Sequence, residues 1–333
     1  MKTILVTGGA GYIGLHTCLE LLKNDYDVIA IDNLCNNTRP DHAIIRKITG
    51  RDMQFITGDI LDDKFLNALF SKYSIYAVLH FAGLKSAQES NIDPSRYYVN
   101  NVCAAITLQR CMEYHGVYRI AFSSSASVYG DNDKAPFCED LPLLPRHPYG
   151  KSKRMVEEIL ADVQHAGPKW NVAILRYFNA VGAHKSGYIG EKSTGKYFNL
   201  MPLMVRVALG FEKELHIYGN DYNTRDGTCI RDYIHVMDLA NAHVRVLDKL
   251  SGTNGTCIYN LGTGRGYTVL EMVESFERAT GRKIPFQFRP RRTGDNAISI
   301  ADPSRAHIEL GWKTRYILND MCADTWRWCN MKL

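Results

Sequence analysis

Two short groups of residues have the types and the spacing to do acid–base chemistry. Tyr149 and Lys153 stand four residues apart at the start of a stretch with helical spacing, so both side chains would project from one face of that helix. A free tyrosine has a pKa of about 10 and is a poor base, but a neighbouring ammonium favours the phenolate and lowers that pKa. The serines 123–125 follow the apolar run 118–122, which predicts a strand that would present a hydroxyl to a bound substrate. The alternatives are a solvated helix start and a plain serine turn.

A third group, near the N-terminus, has the spacing of a nucleotide site. The β-branched run 4–6 predicts a buried strand, the glycines Gly8, Gly11 and Gly14 follow as G-x-x-G-x-x-G, and a helical pattern continues beyond them. Glycine allows a positive φ in such a turn, and the N-terminus of the following helix favours a phosphate. The alternative is a glycine-rich turn without a ligand.

The next predicted strand, 27–32, ends in Asp32. A carboxylate at this position accepts hydrogen bonds from the ribose hydroxyls of adenosine and repels a 2′-phosphate. The nearest basic side chain after it is Arg39. These features favour NAD over NADP.

Two further predicted strands end in polar or small residues on the same sheet edge. The run 53–60 ends near Asp59, which would contact adenine or cap the next helix. The run 75–81 leads to Ala82 and Gly83, which permit a close approach of the backbone to a cofactor, and to Lys85, which would reach the cofactor, reach a substrate phosphate or lie on the surface.

The alternation of strands and helices predicts an α/β fold, a doubly wound Rossmann-type parallel sheet with a smaller C-terminal α/β substrate domain. We expect the NAD-binding domain at 1–178 with a return segment at about 231–260, where a strand leads into a helix, and the substrate-binding domain at 179–230 and 261–333. A single long helix is predicted for about 94–115, with Asn100 as a buried anchor or an exposed side chain. Thr268 to Glu271 is a capping box that starts a helix closing at Gly281.

The composition of the chain argues against several classes of binding partner. The chain has 333 residues, 45% of them hydrophobic, and a formal net charge of +5 without a long basic block, which argues against nucleic acid. Nine cysteines without metal-ligand spacing predict reduced thiols, a cytoplasmic location and no metal site. No apolar run reaches membrane-spanning length, so we expect no membrane partner and no signal peptide.

With these motifs in place, the chain resembles the extended short-chain dehydrogenase/reductase superfamily and, within it, the UDP-galactose 4-epimerases. The resemblance runs nearly end to end, and its most specific parts are Phe-Ala-Gly-Leu-Lys at 81–85 and Arg-Asp-Tyr-Ile-His-Val at 231–236. The other matching segments are 7–14, 32–34, 58–60, 122–126, 128–130, 148–153, 175–179, 199–202, 219–222, 259–262 and 290–292.

The resemblance implies a reaction on C4 of a UDP-hexose. Tyr149 as phenolate would take the proton of the 4-hydroxyl while NAD takes the C4 hydride; the keto sugar would turn over, and the hydride would return to its other face. Ser125 would bond the same oxygen. Lys153 would hold the nicotinamide ribose and bias Tyr149 toward phenolate. The hydride leaves and returns within one turnover, so we expect tightly held NAD.

The resemblance also implies two sets of binding residues. The cofactor set contains Gly8, Gly11, Tyr12, Ile13, Gly14, Asp32, Asn33, Asn36, Asp59, Ile60, Phe81, Ala82, Gly83, Lys85, Asn100, Ser123, Tyr149, Lys153 and Tyr177. The substrate set contains Lys85, Ser125, Tyr149, Asn179, Asn199, Leu200, Tyr218, Arg231, Arg292, Asp295 and Ser299. The two arginines offer planar donor forks to a diphosphate, and Tyr218 would stack on uracil.

Three positions depart from the usual pattern of the family. In the family a proline usually follows the asparagine at position 179, and this chain has Ala180 there. A second asparagine often precedes Asn199, and this chain has Phe198 there. Ser299 stands where some bacterial relatives limited to glucose and galactose carry tyrosine, and relatives that accept N-acetylated sugars carry a small residue. We therefore expect UDP-GlcNAc and UDP-GalNAc to be interconverted as well.

Two alternatives differ in activity. A nucleotide-sugar 4,6-dehydratase would carry an Asp-Glu pair after the catalytic serine or threonine, where this chain has Ala126 and Ser127; a decarboxylase is the other sister enzyme. A non-catalytic NAD-binding sensor would typically lack the Tyr149 and Lys153 pair. By resemblance we also expect a homodimer through the helices around 94–115 and 152–166.

Overall fold

The computed structural model describes residues 1–130, 132–192, 199–252, 255–292 and 296–331. Its larger sheet is entirely parallel, with strand order β3-β2-β1-β4-β5-β6-β10. Numbered along the chain, its strands are β1 (Thr3–Thr7), β2 (Asp27–Asp32), β3 (Gln54–Thr57), β4 (Ile75–His80), β5 (Arg119–Ser125), β6 (Asn171–Tyr177) and β10 (Gly255–Leu261). The order reverses between β1 and β4, which is where open α/β sheets bind ligands. The predicted doubly wound α/β fold is confirmed.

Helices cover both faces of this sheet. They are α1 (Tyr12–Lys23), α2 (His42–Thr49), α3 (Asp63–Lys72), α4 (Ala87–Ile92), α5 (Pro94–Tyr98), α6 (Ala104–Tyr114), α7 (Pro148–Ala166) and α9 (Val236–Gly252). Successive residues of a strand face opposite sides, so Ile4 and Val6 pack in the core beneath α1 and α9, whereas Leu5 packs in the core beneath α3, α6 and α7. Burial on both faces explains why β1 is apolar throughout.

The remaining elements build a smaller half. A four-stranded sheet contains β7 (Asn179–Val181), β9 (Ile230–His235), β11 (Gly266–Thr268) and β13 (Ile298–Ser299), and a two-stranded sheet contains β8 (Leu215–Tyr218) and β12 (Phe286–Arg289). Their helices are α8 (Leu200–Ala208), α10 (Val269–Thr280) and α12 (Leu318–Asn330), whereas α11 (Ser304–Leu310) packs on β10 and α9 of the larger half. A separate apolar core that includes Met204, Ile217 and Phe276 holds these elements together.

The return of the chain to the larger half starts later than the sequence predicts. Residues 231–235 belong to β9, which pairs with β7, β11 and β13 in the smaller sheet. The helix α9 is the first returning element, because it packs on α1, and β10 then pairs with β6. The placement of 231–235 in the larger half was wrong. The other domain boundaries stay predictions.

The helix predicted for 94–115 is interrupted. A wide turn at Val99–Cys103, with π-helical bonding, separates α5 from α6. Such a turn inserts one extra residue and shifts the faces of the helix that follows. The prediction at Thr268 is confirmed, because its hydroxyl accepts from the backbone N–H of Glu271 and α10 ends at Gly281 with a φ of 67°.

Candidate active site at the carboxyl edge of the larger sheet

The glycine turn connects β1 to α1 without room for side chains. Gly8 has a φ of 69°, and a Cβ there would lie 2.7 Å from the backbone nitrogen of Ala82. A Cβ at Gly14 would lie 2.3 Å from the carbonyl oxygen of Gly8. Gly11 caps α1 with its backbone only, since no side chain caps this helix in the structure. The first N–H groups of α1 therefore suit a phosphate.

Asp32 is held at the end of β2 by backbone donors. Its carboxylate accepts from the N–H groups of Ala10 (3.1 Å) and Leu34 (2.8 Å), and burial raises its pKa. Asn33 donates to Asp59 at 2.9 Å, and the other carboxylate oxygen of Asp59 accepts from the Leu61 N–H, so Asp59 also shapes its own loop. These contacts fix the edge on which an adenosine ribose would lie.

The other predicted cofactor residues near this edge differ in exposure. Tyr12 donates to the carbonyl of Gly182 at 2.6 Å, which ties α1 to the segment after β7. Ile13 packs against the core, Ile60 is buried and Asn36 is exposed. Arg39 donates to the Phe55 carbonyl at 3.3 Å, so this basic side chain is engaged at β3.

The loop after β4 is clamped by an asparagine that the sequence did not single out. Asn101 is buried in the wide turn; its side chain accepts from the Leu84 N–H at 2.8 Å and donates to the Leu84 carbonyl at 3.0 Å and to Ser152 at 3.1 Å. The predicted Asn100 is half-buried and donates to Asn101. A helical period of 3.6 cannot locate the extra residue of the turn, so the pattern does not tell which asparagine faces inward.

The loop after β4 also carries Phe81, Ala82, Gly83 and Lys85. The Phe81 ring packs against His243, another residue that the sequence did not single out, with the ring centres 4.7 Å apart and the planes tilted by 46°. A Cβ at Gly83 would lie 3.2 Å from the Asn101 side chain, so only glycine fits without displacement. Lys85 is exposed and forms an ion pair with Glu191 at 2.7 Å.

Tyr149 and Lys153 lie on the first turns of α7, as the spacing predicts. Lys153 is buried, and its ammonium donates to the carbonyl of Ser123 at 2.6 Å. Burial lowers the pKa of Lys153 to about 8, against an opposing contribution from the Glu157 charge. Burial raises the pKa of Tyr149, while the Ser125 hydroxyl and the charge of Lys85 lower it. Lys85, which the sequence placed only loosely, therefore contributes a positive charge at Tyr149.

The serines lie within β5, which runs three residues further than the sequence predicts. Ser123 and Ser125 pair in register with Leu175 and Tyr177 of β6. The Ser125 hydroxyl accepts from the Ser127 N–H at 3.2 Å, which orients it at the end of the strand. Tyr177 is buried, with its hydroxyl 2.5 Å from a ring nitrogen of His243, and burial raises its pKa.

Besides Lys85, Ser125 and Tyr149, the predicted substrate residues belong to the smaller half, and several of them are exposed. Asn179 and Asn199 are exposed at the starts of β7 and α8, and Leu200 is half-buried. The exposed Arg292 lies 3.8 Å from the ring centre of Tyr218 and covers one of its faces.

Arg231 and Ser299 are paired across β9 and β13, so their positions are neighbours. Arg231 also donates to the Ile230 carbonyl at 2.9 Å. The predicted Asp295 and the unusual Phe198 lie outside the described residues. Ala180, where the family usually has proline, packs against the core of the larger half.

Metal and membrane features are missing from the described ranges. No group of three or more histidine, cysteine or acidic side chains there is arranged to hold a metal ion. In the same residues, no helix has both the length and the apolar character needed to cross a bilayer.

The chain is similar to nucleotide-sugar enzymes over nearly its whole length. The profile of the family described as GDP-mannose 4,6 dehydratase matches residues 5–325. A UDP-glucose 4-epimerase of Bacillus subtilis (strain 168) is 50% identical over 325 residues, 98% of this chain and 96% of its own.

Two solved structures agree with these relatives. The UDP-glucose 4-epimerase of Stenotrophomonas maltophila, with bound NAD and formylated UDP-arabinopyranose, has a TM-score of 0.97 and 46% identity and covers 100% of this chain and 99% of its own. The UDP-glucose 4-epimerase of Bifidobacterium longum, in complex with NAD+ and UDP, has a TM-score of 0.95 and 46% identity. The match covers 99% of this chain and 98% of that one. The chain thus belongs to the family of extended short-chain dehydrogenase/reductase proteins that this profile describes and, within it, to the UDP-glucose 4-epimerases.

Proposed function

We propose that this protein is an isomerase, a UDP-hexose 4-epimerase that interconverts UDP-glucose and UDP-galactose with bound NAD. The observation that carries the proposal is the placement of Tyr149 and the buried Lys153 on the first turns of α7, where the Lys153 ammonium bonds the Ser123 carbonyl at 2.6 Å on the strand that ends in Ser125. The glycine turn and Asp32 lie on the same edge. A redox cofactor and a proton acceptor therefore meet at one sugar carbon.

The residues present fit NAD. The N-terminus of α1 has no side-chain cap, and the three glycine positions of the turn carry no side chain, so both features suit a pyrophosphate. The Asp32 carboxylate suits ribose hydroxyls. When bound, NAD accepts the C4 hydride of the sugar and returns it to the opposite face.

The chain itself moves the proton and orients the sugar. Tyr149 takes the proton of the 4-hydroxyl and later gives it back, and Ser125 bonds the same oxygen. Burial alone would keep Tyr149 protonated; the Ser125 hydroxyl and the Lys85 charge act in the opposite direction. Lys153, directed at the Ser123 carbonyl, holds the nicotinamide ribose.

We further propose that NAD is retained between turnovers. Two consecutive residues, Glu191 and Lys192, bond to Lys85 after β4 (2.7 Å) and to Thr38 after β2 (2.6 Å). In the sheet these two strands flank β1, so the two contacts lie on either side of the strand that leads into the glycine turn. Both contacts oppose release of a cofactor bound there.

The cheapest test is to incubate the purified protein with UDP-galactose, without added NAD, and look for UDP-glucose. Formation of UDP-glucose supports the epimerase with retained NAD and excludes a non-catalytic sensor. A product that has lost water or CO₂ would instead identify a 4,6-dehydratase or a decarboxylase. The stretch after Ser125 disfavours dehydration, since Ala126 and Ser127 carry no carboxylate there.

We also propose that N-acetylated sugars are accepted. Ser299 is small, half-buried and next to Arg231 in the adjacent strand, which leaves room for an acetamido group. Side-by-side kinetics on UDP-galactose and UDP-GalNAc test this, with Ser299→Tyr as the matched variant that should lose the second substrate and keep the first. An enzyme active on UDP-galactose that shows no turnover of UDP-GalNAc would contradict the idea.

A homodimer is the proposed assembly, and the cytoplasm the proposed location. Val99, Ile106 and Met155 are exposed by 50%, 36% and 40% on the wide turn, α6 and α7, the elements expected to meet a second copy. Light scattering should give twice the chain mass, and a monomer mass would refute this assembly. Nine free cysteines support a reducing compartment, and we propose no nucleic-acid or membrane partner.

A further inference from the structure

A buried ion pair lies directly behind the catalytic serine. Arg176 donates to both carboxylate oxygens of Glu157, at 2.7 to 3.2 Å, and the two side chains are 3% and 4% exposed. The two N–H groups of Nη1 bond the Tyr129 hydroxyl at 3.0 Å and the Glu139 carbonyl at 2.9 Å. The pair is thus held by several hydrogen bonds and shielded from water.

The same carboxylate is connected to two parts of the catalytic site. The hydroxyl of Ser124 donates to Glu157, and Ser124 is the residue before Ser125 in β5. Glu157 also lies one helical turn after Lys153 on α7, so the two side chains share a face of that helix. One side chain therefore links the strand end that carries Ser125 to the helix that carries Tyr149 and Lys153.

Fold stability alone is a weak reason for such a pair. Removing two charges from water costs several kcal/mol per ion, and apolar replacements of buried ion pairs are often neutral or stabilising. The pair is one residue away from Ser125 and one turn away from Lys153, which suggests a role in the reaction.

We propose that Glu157 and Arg176 form a positioning pair, which fixes the strand end that carries Ser125 and places a negative charge behind Lys153. The proposal rests on the epimerase function and adds to it, because both side chains are buried and neither belongs to the proposed sugar- or cofactor-binding residues. Ser124 transmits the position of the pair to Ser125, and the helical turn transmits its charge to Lys153.

The ionisable groups around Lys153 show how the charge of Glu157 affects the protonation of Lys153. Glu157 favours the ammonium form and raises the pKa of Lys153 against the effect of burial. From the neighbouring β4, His80 is buried and its pKa is lowered to about 3, in part by Lys153, so His80 is neutral and supplies no charge. The other ionisable side chains at the site are Tyr149 on α7, Tyr177 and Arg176 on β6, and Lys85 after β4, and the Arg176 cation lies against Glu157. Among these groups, Glu157 is the acid that favours the protonated form of Lys153.

Two adjacent residues of α7 supply a matched pair of variants. Glu157→Gln removes the buried charge with little change in shape, whereas Glu158→Gln removes an exposed one that pairs with Arg154 at 2.7 Å. In ¹³C-lysine-labelled holoenzyme, with Lys153→Met to assign the signal, we expect the Lys153 titration midpoint to fall by about 1 pH unit in Glu157→Gln only. An unchanged midpoint in Glu157→Gln would overturn the proposal. This readout needs no substrate, so it stands apart from the test of the proposed function.

Kinetics on UDP-galactose give the second readout. The alkaline limb of kcat should move to lower pH by about 1 unit in Glu157→Gln, with KM within about twofold of the wild type. Ser124→Ala removes the link to Ser125 and keeps the charge, so kcat should fall by about tenfold while the alkaline limb stays in place. A wild-type kcat in Ser124→Ala would overturn the positioning role.

If Glu157→Gln does not fold, Glu157→Asp decides the matter. The aspartate keeps the charge and shortens the reach to Ser124, so we expect a reduced kcat with the Lys153 midpoint close to that of the wild type. A wild-type kcat in Glu157→Asp would contradict the proposal.

Discussion

The two sides of the candidate site differ in how far their polar groups are already held by the chain. On the cofactor side, Asp32 accepts from two backbone N–H groups, Asn33 bonds Asp59, and Lys153 bonds a carbonyl. On the sugar-nucleotide side, the side chains of Asn179, Asn199 and Arg292 are exposed.

This difference matches the different residence of the two ligands in the proposed reaction. Groups that are oriented in advance lose little freedom when a ligand binds, which favours tight and lasting association. A cofactor that is regenerated in each turnover benefits from such a site. Substrate and product must enter and leave, so more accessible groups on the other side suit them.

Removing the proton acceptor should have the largest effect. Tyr149→Phe should lower kcat by about 10²- to 10⁴-fold, because general acid–base catalysis at the 4-hydroxyl is lost. The NAD content, measured by absorbance after denaturation, should stay at the wild-type level because the cofactor side is intact. Activity near the wild type would show that Tyr149 is not the base.

Removing a prearranged polar group on the cofactor side should weaken the binding of NAD. We expect Asp32→Ala to raise the dissociation constant of NAD by about 10- to 100-fold, the value of hydrogen bonds to a charged group. Isothermal titration calorimetry on cofactor-free protein measures it.

Asp52→Ala is the matched control, since Asp52 is an exposed acid that pairs with Arg46 at 3.8 Å. Unchanged NAD affinity in Asp32→Ala would mean that the fixed carboxylate does not bind the ribose, and the comparison of the two sides would lose its main support.

A change on the accessible side should affect the substrate alone. Arg292→Lys should raise KM for UDP-galactose by about tenfold, because an ammonium cannot offer the planar fork of a guanidinium to a diphosphate. Steady-state kinetics should show kcat within about twofold of the wild type, and NAD content should not change.

Arg289→Lys, three residues earlier on β12, provides the control, because Arg289 bonds His216 at 3.2 Å within its own sheet. If Arg292→Lys released NAD, or if both variants raised KM equally, the separation of the two sides would be refuted.

Features that depend on neighbouring residues in the chain, such as turns, helix ends and side-chain spacing, were predictable from the sequence. The glycine turn requires glycine because carbonyl and amide groups of the chain occupy the space of a side chain at Gly8 and Gly14. The capping box at Thr268 and the end of α10 at Gly281 depend only on residues within the helix. Spacing alone also places Tyr149 and Lys153 on adjacent turns of α7.

Features that depend on distant partners were not predictable. The strand β9 has the pattern of any buried strand, and only its pairing assigns it to the smaller sheet. Asn101 rather than Asn100 faces the loop after β4, because a wide turn shifts the helix by one residue.

The sequence by itself determined the α/β fold, the nucleotide turn and the Ser125, Tyr149 and Lys153 group, because each depends on short spacings along the chain. Tertiary structure alone decided the charges around that group. Lys85 acts on Tyr149, and Glu157 meets Arg176, across chain separations that no local pattern records. The physical reason is that a pKa and an ion pair depend on burial and on distance in space, which folding sets.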